Sequence, residues 1–267
     1  KGMDEFRDSM LQDNSLRQIH DFPEAGDIFP GVQIKGGVCF FLWDRENPGL
    51  CKVSTYKQGD LVSSVERPLL EDGCEVFVRY NEAISILKKV RKLDEPSLRS
   101  QISSRKPFGL STTFKGKSKS FSGAVKLYQN GGTGFISKED IKSNVEIVDS
   151  YKVLIPPLGS GSDAFPHTIL GKPFSVEPGS ACTETYLVAG TFDDMNEAQN
   201  LVGYLKTKFL RFLVLLNKPT QHATAKVYTF VPIQDFTQEW TDEKLYKKYG
   251  LDKSEIEFIE SMIRPME

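Results

Sequence analysis

The spacing of apolar and polar residues predicts a chain that begins with a short helix and several strands and later alternates strands with helices. Residues 4–11 carry apolar side chains on one side and predict a short helix, and Leu16–Phe22 has the length and flanking turns of a strand. Residues 32–43 end in the apolar run Gly-Gly-Val-Cys-Phe-Phe-Leu-Trp, which predicts a strand buried on both faces. We expect residues 51–56 to pair back as a hairpin.

Helix signals follow further along the chain. Asn81 predicts the start of a helix that reaches about residue 93 and ends before Pro96. Asp194 and Glu197 form the pattern of a capping box, which predicts one helix over residues 194–216. Further strands are predicted at residues 145–155, 184–189 and 227–233, a turn at 130–134, and two short helices at 241–249 and 252–263. The mixture predicts an α+β fold.

Charge is balanced overall but unevenly distributed. The chain has 34 basic and 36 acidic side chains, a net charge of −2, so any contact with nucleic acid must come from local patches. Residues 99–126 contain no acid but include seven basic residues: Arg99, Arg105, Lys106, Lys115, Lys117, Lys119 and Lys126. Residues 198–234 also lack acids, and Lys206, Lys208 and Arg211 form a basic stripe on the predicted helix. Acids dominate from residue 234 onward.

Several classes of protein are disfavoured. No apolar stretch approaches the roughly 18 residues that a membrane helix needs, and no secretion signal is visible, so we expect a cytoplasmic protein. The four cysteines lie far apart and predict buried free thiols, with Cys39 in the core. The three histidines do not cluster with cysteines, so no zinc site is expected.

Catalytic motifs are also missing. Residues 159–161 form only part of a phosphate-binding glycine loop, and no Ser-His-Asp or Cys-His arrangement is visible. Glu139-Asp-Ile-Lys142 resembles a metal-dependent nuclease cluster weakly and is better explained as a solvated helix start. The chain alone is therefore predicted to be non-catalytic and to bind no metal.

Three strings near the N-terminus resemble a known family. They are Leu16-Arg-Gln-Ile-His-Asp-Phe22, Ile28-Phe-Pro-Gly-Val32 and Gly36-Gly-Val-Cys-Phe-Phe-Leu-Trp-Asp44. They are similar to the later part of the catalytic domain of adenine-specific DNA methyltransferases from restriction–modification systems. The resemblance is to enzymes with target recognition C-terminal to catalysis, including type IIG-like enzymes fused to a restriction endonuclease. It continues to Trp240-Thr-Asp-Glu-Lys-Leu-Tyr-Lys-Lys-Tyr-Gly250 and Phe258-Ile-Glu-Ser-Met-Ile-Arg-Pro-Met266.

The resemblance implies a domain plan. Residues 1–58 would be a remnant of a doubly wound α/β methyltransferase sheet, 59–235 a mixed α+β target-recognition domain, and 236–267 an acidic helical segment. The family's Asn-Pro-Pro-aromatic and glycine-rich S-adenosylmethionine motifs are missing, so the chain is expected to be a C-terminal fragment that is inactive alone. S-adenosylmethionine would be the cofactor of the full-length enzyme, bound by the missing N-terminal catalytic domain.

The resemblance and the charge pattern together nominate site residues. Phe29 matches the aromatic that stacks on a flipped adenine. The residues expected to contact double-stranded DNA are Arg105, Lys106, Ser111, Thr112, Lys115, Lys117 and Lys119, with Lys206, Lys208 and Arg211 as a second set.

Two other functions remain open from the sequence. The chain could be a protein-interaction or structural domain of a restriction–modification complex, with its acidic C-terminal helices docked on another subunit. An independent nuclease ranks last. If residues 1–58 belong to a larger sheet, the chain should also self-associate through an unpaired edge.

Overall fold

The computed structural model describes residues 4–31, 34, 36–158, 165–217 and 224–266, and it has the predicted α+β fold. The chain divides into two compact units, Lys1–Ile84 and Ser85–Glu267, called unit 1 and unit 2 below. Within the described residues no helix combines the length and the apolar character that crossing a bilayer requires.

Unit 1 consists of helix α1 (Asp4–Gln12) and a four-stranded sheet. The strands are β1 (Leu16–Phe22), β2 (Val38–Trp43), β3 (Cys51–Lys57) and β4 (Asp60–Arg67), in the order β2-β1-β3-β4. β1 pairs antiparallel with β2 and parallel with β3, and β3 pairs antiparallel with β4. The predicted hairpin between residues 32–43 and 51–56 is therefore wrong, because β1 lies between these two strands.

The β3–β4 hairpin also moves the first domain boundary. The predicted boundary after residue 58 falls within its turn, at Gln58 and Gly59, where both backbones have positive φ values of 53° and 87°. β4 pairs along its whole length with β3. Unit 1 consequently extends to Ile84 instead of ending at residue 58.

One face of this sheet forms the core of unit 1. Leu16, Cys51, Val53 and Leu69 are buried there, and Met10 and Leu11 of α1 pack against them. The Arg79 guanidinium binds the buried carboxylate of Asp21 in β1 through two hydrogen bonds, Nε to Oδ2 at 2.7 Å and Nη2 to Oδ1 at 2.9 Å. These contacts tie the segment after β4 to β1.

β2 is an edge strand, so the prediction that it is buried on both faces is wrong. Phe40, Phe41 and Leu42 are 57%, 50% and 49% exposed, and since successive side chains of a strand point to opposite faces, neither face of β2 is fully covered. Cys39 is likewise exposed, in contrast to the predicted core position. The other three cysteines are buried and free, as predicted.

Unit 2 contains two three-stranded sheets around one core. The first has the order β6-β5-β9, with β5 (Val125–Gln129), β6 (Gly132–Ile136) and β9 (Ser180–Cys182). The second has the order β10-β7-β8, with β7 (Tyr151–Ile155), β8 (Phe174–Val176) and β10 (Leu187–Phe192). Leu127 and Cys182 of the first sheet pack in one cluster with Leu154 and Val188 of the second. The predicted turn near residue 130 joins β5 to β6.

Five helices complete the described elements, and one prediction about them fails. They are α2 (Glu82–Arg91), which crosses the unit boundary, α3 (Met195–Lys206), α4 (Lys208–Leu216), α5 (Asp242–Lys248) and α6 (Lys253–Met262). The single helix predicted over 194–216 is two helices. Thr207 has an extended backbone, and its hydroxyl donates to Tyr204 O and accepts from Leu210 N, which ends α3 and begins α4. Helix α6 begins with a capping box formed by Asp252 and Glu255, whereas at the start of α3 the Asp194 side chain accepts from Asn196 N.

The C-terminal helices belong to the core of unit 2 and do not form a separate segment. Phe209 of α4 stacks on Tyr249 with ring centroids 4.9 Å apart, and Phe212 meets Phe258 of α6 edge-on at 5.8 Å. The strand predicted over 227–233 is also wrong. A short 3₁₀ helix occupies Ala225–Tyr228, and Pro232 forms only an isolated antiparallel bridge with Ser97.

Candidate nucleic-acid interface

The β5–β6 hairpin of unit 2 has one core face and one outer face. Val125 and Leu127 point into the core, and Lys126 between them is exposed. Phe135 of β6 lies directly opposite Lys126 in the ladder. Residues opposite each other on paired strands share a face, so Lys126 and Phe135 lie together on the outside.

The loop after residue 111 extends this outer face. Lys117 and Phe135 exchange two backbone hydrogen bonds, at 2.8 and 2.9 Å, so the loop lies beside β6 like a further strand. A Cβ on Gly116 would come within 2.8 Å of Phe135 N, which means that this close approach requires glycine. The result is a row, Lys117–Phe135–Lys126. Because neighbouring strands are about 4.8 Å apart, the Cα atoms of the two lysines in this row are separated by about 10 Å.

Aromatic rings and one carbonyl hold the lysines of this face in place. Lys117 Nζ lies 4.8 Å from the ring centroid of Phe121, and Lys126 Nζ lies 5.2 Å from that of Tyr128. Such cation–π contacts order an ammonium group without neutralising it. Lys115 Nζ donates to Asn130 O in the hairpin turn and so attaches the loop to the sheet.

Four exposed lysines lie on this outer face or in the loop beside it, and we call them the lysine surface: Lys115, Lys117, Lys119 and Lys126. Within the described residues none of the four forms an ion pair, because no carboxylate lies within 4 Å of their ammonium groups. Three of the four were predicted as DNA contacts. Lys126 was not, although its position between two buried strand residues is a signal for exposure. Ser111 and Thr112 lie in the same loop, and the Ser111 hydroxyl lies 3.1 Å from Thr113 Oγ1.

Arg105 and Lys106 are in a different electrostatic situation. Glu184 Oε1 lies 2.7 Å from Arg105 Nη2, and its Oε2 lies 3.7 Å from Lys106 Nζ. Glu184 is far away in sequence, so the acid-free stretch gave no sign of it. These two cations are partly compensated by a neighbouring carboxylate.

The second predicted set does not form a phosphate-facing stripe. The Lys208 ammonium pairs with the Glu260 carboxylate of α6. Arg211 is fully buried, and its guanidinium donates from Nε to Lys206 O at 3.1 Å and from Nη1 to Thr168 O at 3.3 Å. Burial lowers the pKa of Arg211 to about 10. The prediction that Arg211 contacts DNA is thus wrong for this structure, because its side chain fills the core. Lys206 is half-buried, and its role stays a prediction.

Phe29 lies in unit 1, whereas the predicted cations all lie in unit 2. Its side chain is 49% exposed, on a loop fixed by the hydrogen bonds Phe29 N to Ala25 O at 2.8 Å and Gln58 N to Asp27 Oδ2 at 2.6 Å. An exposed ring on a fixed loop is compatible with stacking on a base. That role stays a prediction.

The weak enzyme signals give no catalytic arrangement. Asp140 Oδ2 accepts from Ser137 N at 3.0 Å and caps a short 3₁₀ helix, as expected of a helix start. In the part of the chain that the structure describes, no three His, Cys, Asp or Glu side chains converge as a metal site. Residues 159–161, the partial glycine loop, lie outside the described residues.

The comparisons with known proteins give one short sequence match. No protein-family model matches the chain. It is 33% identical over 49 residues to a protein of Mycoplasma pneumoniae described as an uncharacterized adenine-specific methylase. The match covers 18% of this chain and only 12% of that protein.

A solved structure resembles the chain more broadly but weakly. The type IIG restriction endonuclease BpuSI aligns over 96% of this chain and 40% of its own length, with 13% identity and a TM-score of 0.36. That score is too low to support an argument about fold or function. What the comparisons show is thus limited to the sequence similarity between a short segment of the chain and the protein described as an adenine-specific methylase.

Proposed function

We propose that this chain provides DNA recognition for an adenine-N6 DNA methyltransferase of a restriction–modification system. The observation that carries the proposal is the lysine surface, four exposed cations that form no ion pair with any residue that the structure describes, in a protein whose net charge is −2. The strings near the N-terminus and the short match to an adenine-specific methylase support the choice of DNA as its target. Other lysines of unit 2, such as Lys89 and Lys248, are paired with carboxylates of their own unit.

In this proposal the lysine surface binds phosphates. Ammonium groups attract the backbone irrespective of sequence, and nearby hydroxyls such as those of Ser111 and Thr112 donate to phosphate oxygens. Phe29 would stack on an adenine turned out of the duplex. The chain lacks the glycine-rich motif for S-adenosylmethionine, so binding of the methyl donor is assigned to a separate catalytic domain.

The test is the salt dependence of duplex binding by the double variant Lys117→Gln, Lys126→Gln. Each lost phosphate contact should reduce the slope of log K against log salt by about 0.9, so we expect a reduction of about 2. Fluorescence anisotropy with a labelled duplex at several salt concentrations measures it.

The matched control is Lys253→Gln, which removes one charge from α6, where the Lys253 side chain is 90% exposed. It should leave the slope unchanged. An unchanged slope in the double variant, with the fold intact by circular dichroism, would contradict the proposed interface.

We propose further that unit 1 is the last part of a larger methyltransferase sheet, followed by the recognition region. The uncovered apolar edge strand β2 supports this, since an edge with exposed Phe40, Phe41 and Leu42 favours strand pairing. The same feature favours the competing function, a protein-interaction domain that contacts DNA only through its partner.

Sedimentation of the wild type and of the double variant Phe40→Ser, Phe41→Ser tests this second proposal. We expect concentration-dependent self-association of the wild type and less of it in the variant. A wild type that stays monomeric at high concentration would argue against an uncovered edge. Self-association without any duplex binding would favour the protein-interaction domain.

A further inference from the structure

Beyond the lysine surface, the loop over residues 103–110 presents an arginine on a firmly held support. At one end Ser103 N donates to Val188 O at 2.8 Å, and at the other Glu184 N donates to Leu110 O at 2.9 Å. Both ends of the loop are therefore fixed to the segment that carries Glu184.

The middle of the loop is held by a second segment. Lys142 N donates to Phe108 O at 3.1 Å, and Asn144 Nδ2 donates to Pro107 O at 2.5 Å. The Phe108 side chain is completely buried in the core of unit 2. The loop that carries Arg105 is thus attached to two separate segments, one around Glu184 and one around Lys142, and this support would hold a contact residue in one position.

The Arg105 side chain is 71% exposed, and the Glu184 side chain that binds it is only 14% exposed. A nearly buried carboxylate therefore orients an exposed guanidinium. The 2.7 Å contact engages Nη2 and leaves donors on Nη1 and Nε, out of the five N–H groups that a guanidinium carries. An oriented planar fork loses less side-chain freedom when it binds a ligand.

The Glu184 carboxylate also selects the kind of ligand. Glu184 offsets one of the two positive charges of Arg105 and Lys106, so this pair attracts phosphate less strongly than two unpaired cations would, whereas the edge of a base is neutral and needs only donors. Guanine presents two acceptors in the major groove, O6 and N7, at the spacing of an arginine fork. The lysines of the lysine surface are point charges and lack this geometry.

We propose that Arg105 binds one guanine edge in the major groove and that Glu184 is its positioning residue. This inference rests on the proposed DNA-recognition function and adds a base to it. The lysine surface would supply affinity for the backbone, and Arg105 would supply preference at one position of the recognised sequence.

The experiment is a selection from a randomised duplex pool at near-physiological salt, with the wild type and the variants Arg105→Ala, Arg105→Lys and Glu184→Gln. The wild type should enrich a sequence with an invariant guanine. Arg105→Ala should lose about 10- to 100-fold of the preference at that position only. Arg105→Lys should keep most of the affinity and lose most of the preference, and Glu184→Gln should weaken the preference.

Two controls distinguish base recognition by Arg105 from the nonspecific attraction between positive charge and DNA. Lys253→Gln should leave the selected sequence and the affinity unchanged, and Lys117→Gln should weaken binding to all sequences equally. Melting temperatures confirm that each variant is folded.

The outcomes separate the inference from the proposed function. A wild-type sequence without guanine, or one that Arg105→Ala leaves unchanged, overturns the inference alone. If Glu184→Gln raises affinity for every duplex with the preference intact, Glu184 merely compensates charge and its positioning role is overturned. If the wild type enriches no sequence at all, the proposed recognition function fails together with the inference.

Discussion

Two stretches of unit 2 look alike in sequence and differ in structure. Residues 99–126 and 198–234 both lack acids and both carry lysines and arginines. In the first stretch, Lys117 and Lys126 remain exposed over aromatic rings. In the second, Lys208 pairs with Glu260 and Arg211 is buried in the core.

The difference lies in what packs against each stretch. The second is covered by α5 and α6, which come from the acidic C-terminal region and bring Glu260 and Asp242 to it. Asp242 accepts from the backbone N–H groups of Lys208 and Phe209 at 3.1 and 2.8 Å. The outer face of the β5–β6 hairpin has no such cover in the described residues. A charge count along the sequence therefore finds cations, and tertiary packing decides which of them remain available.

The largest expected difference between the two stretches is in the stability lost when one cation is removed from each. Arg211→Ala removes a buried side chain and its bonds to three backbone carbonyls. We expect the free energy of unfolding in urea to fall by about 3 kcal/mol or more. Lys117→Ala should change it by less than about 0.5 kcal/mol. Similar values for both variants would mean that the two cations have equivalent surroundings.

A third cation sharpens the contrast between buried and exposed charge. Lys152 is completely buried, and its ammonium donates to Val148 O and Ser150 O at 3.1 and 2.9 Å. Burial lowers the pKa of Lys152 to about 8, below its value in the unfolded chain. Between those two pKa values the unfolded chain binds more protons, so stability rises as the pH increases.

From pH 7.5 to 9.5 the free energy of unfolding of the wild type should therefore rise by about 2 kcal/mol relative to Lys152→Met. Urea titrations of both proteins at the two pH values measure this difference. Parallel pH profiles would contradict a neutral buried lysine.

The smallest expected effect concerns the helix lysine. Glu260→Gln leaves Lys208 without its carboxylate and raises the net positive charge of that side. Because we place the DNA contact at the lysine surface, duplex affinity should change by less than about twofold, a difference of about 0.4 kcal/mol. A severalfold gain in affinity, measured by anisotropy, would return Lys208 to the interface.

Local signals were sufficient for much of the fold. The starts of α5 and α6 follow from Thr241 and Asp252, whose side chains accept from backbone N–H groups of their own helices. The α+β class and β1 follow from apolar spacing in the same way. These elements depend on contacts within a few residues, which a sequence pattern contains.

The failed predictions depend on distant partners. Whether the apolar β2 is central or at an edge depends on which strands lie beside it, and its composition is the same in both cases. The break at Thr207 is an exception, because its hydroxyl bonds only to Tyr204 and Leu210, which are near it in sequence. For the candidate site, Glu184 and Glu260 determine which cations are compensated, and neither is near them in sequence.

The contact between Gly116 and Gly134 has a consequence for how the lysine surface can change. Each glycine lies so close to the opposite backbone that an added Cβ would come within about 3 Å of it. The loop that carries Lys117 thus approaches β6 closely at two residues without side chains, Gly116 and Gly134, while the charged side chains of the loop are exposed. Charge at Lys117 or Lys119 can be exchanged without refitting the core, whereas any side chain at the glycine pair would lift the whole loop from the sheet. The backbone of the hairpin and of the adjoining loop is therefore constrained while the charged positions are not. Single lysine substitutions should change the strength of DNA binding without changing the fold.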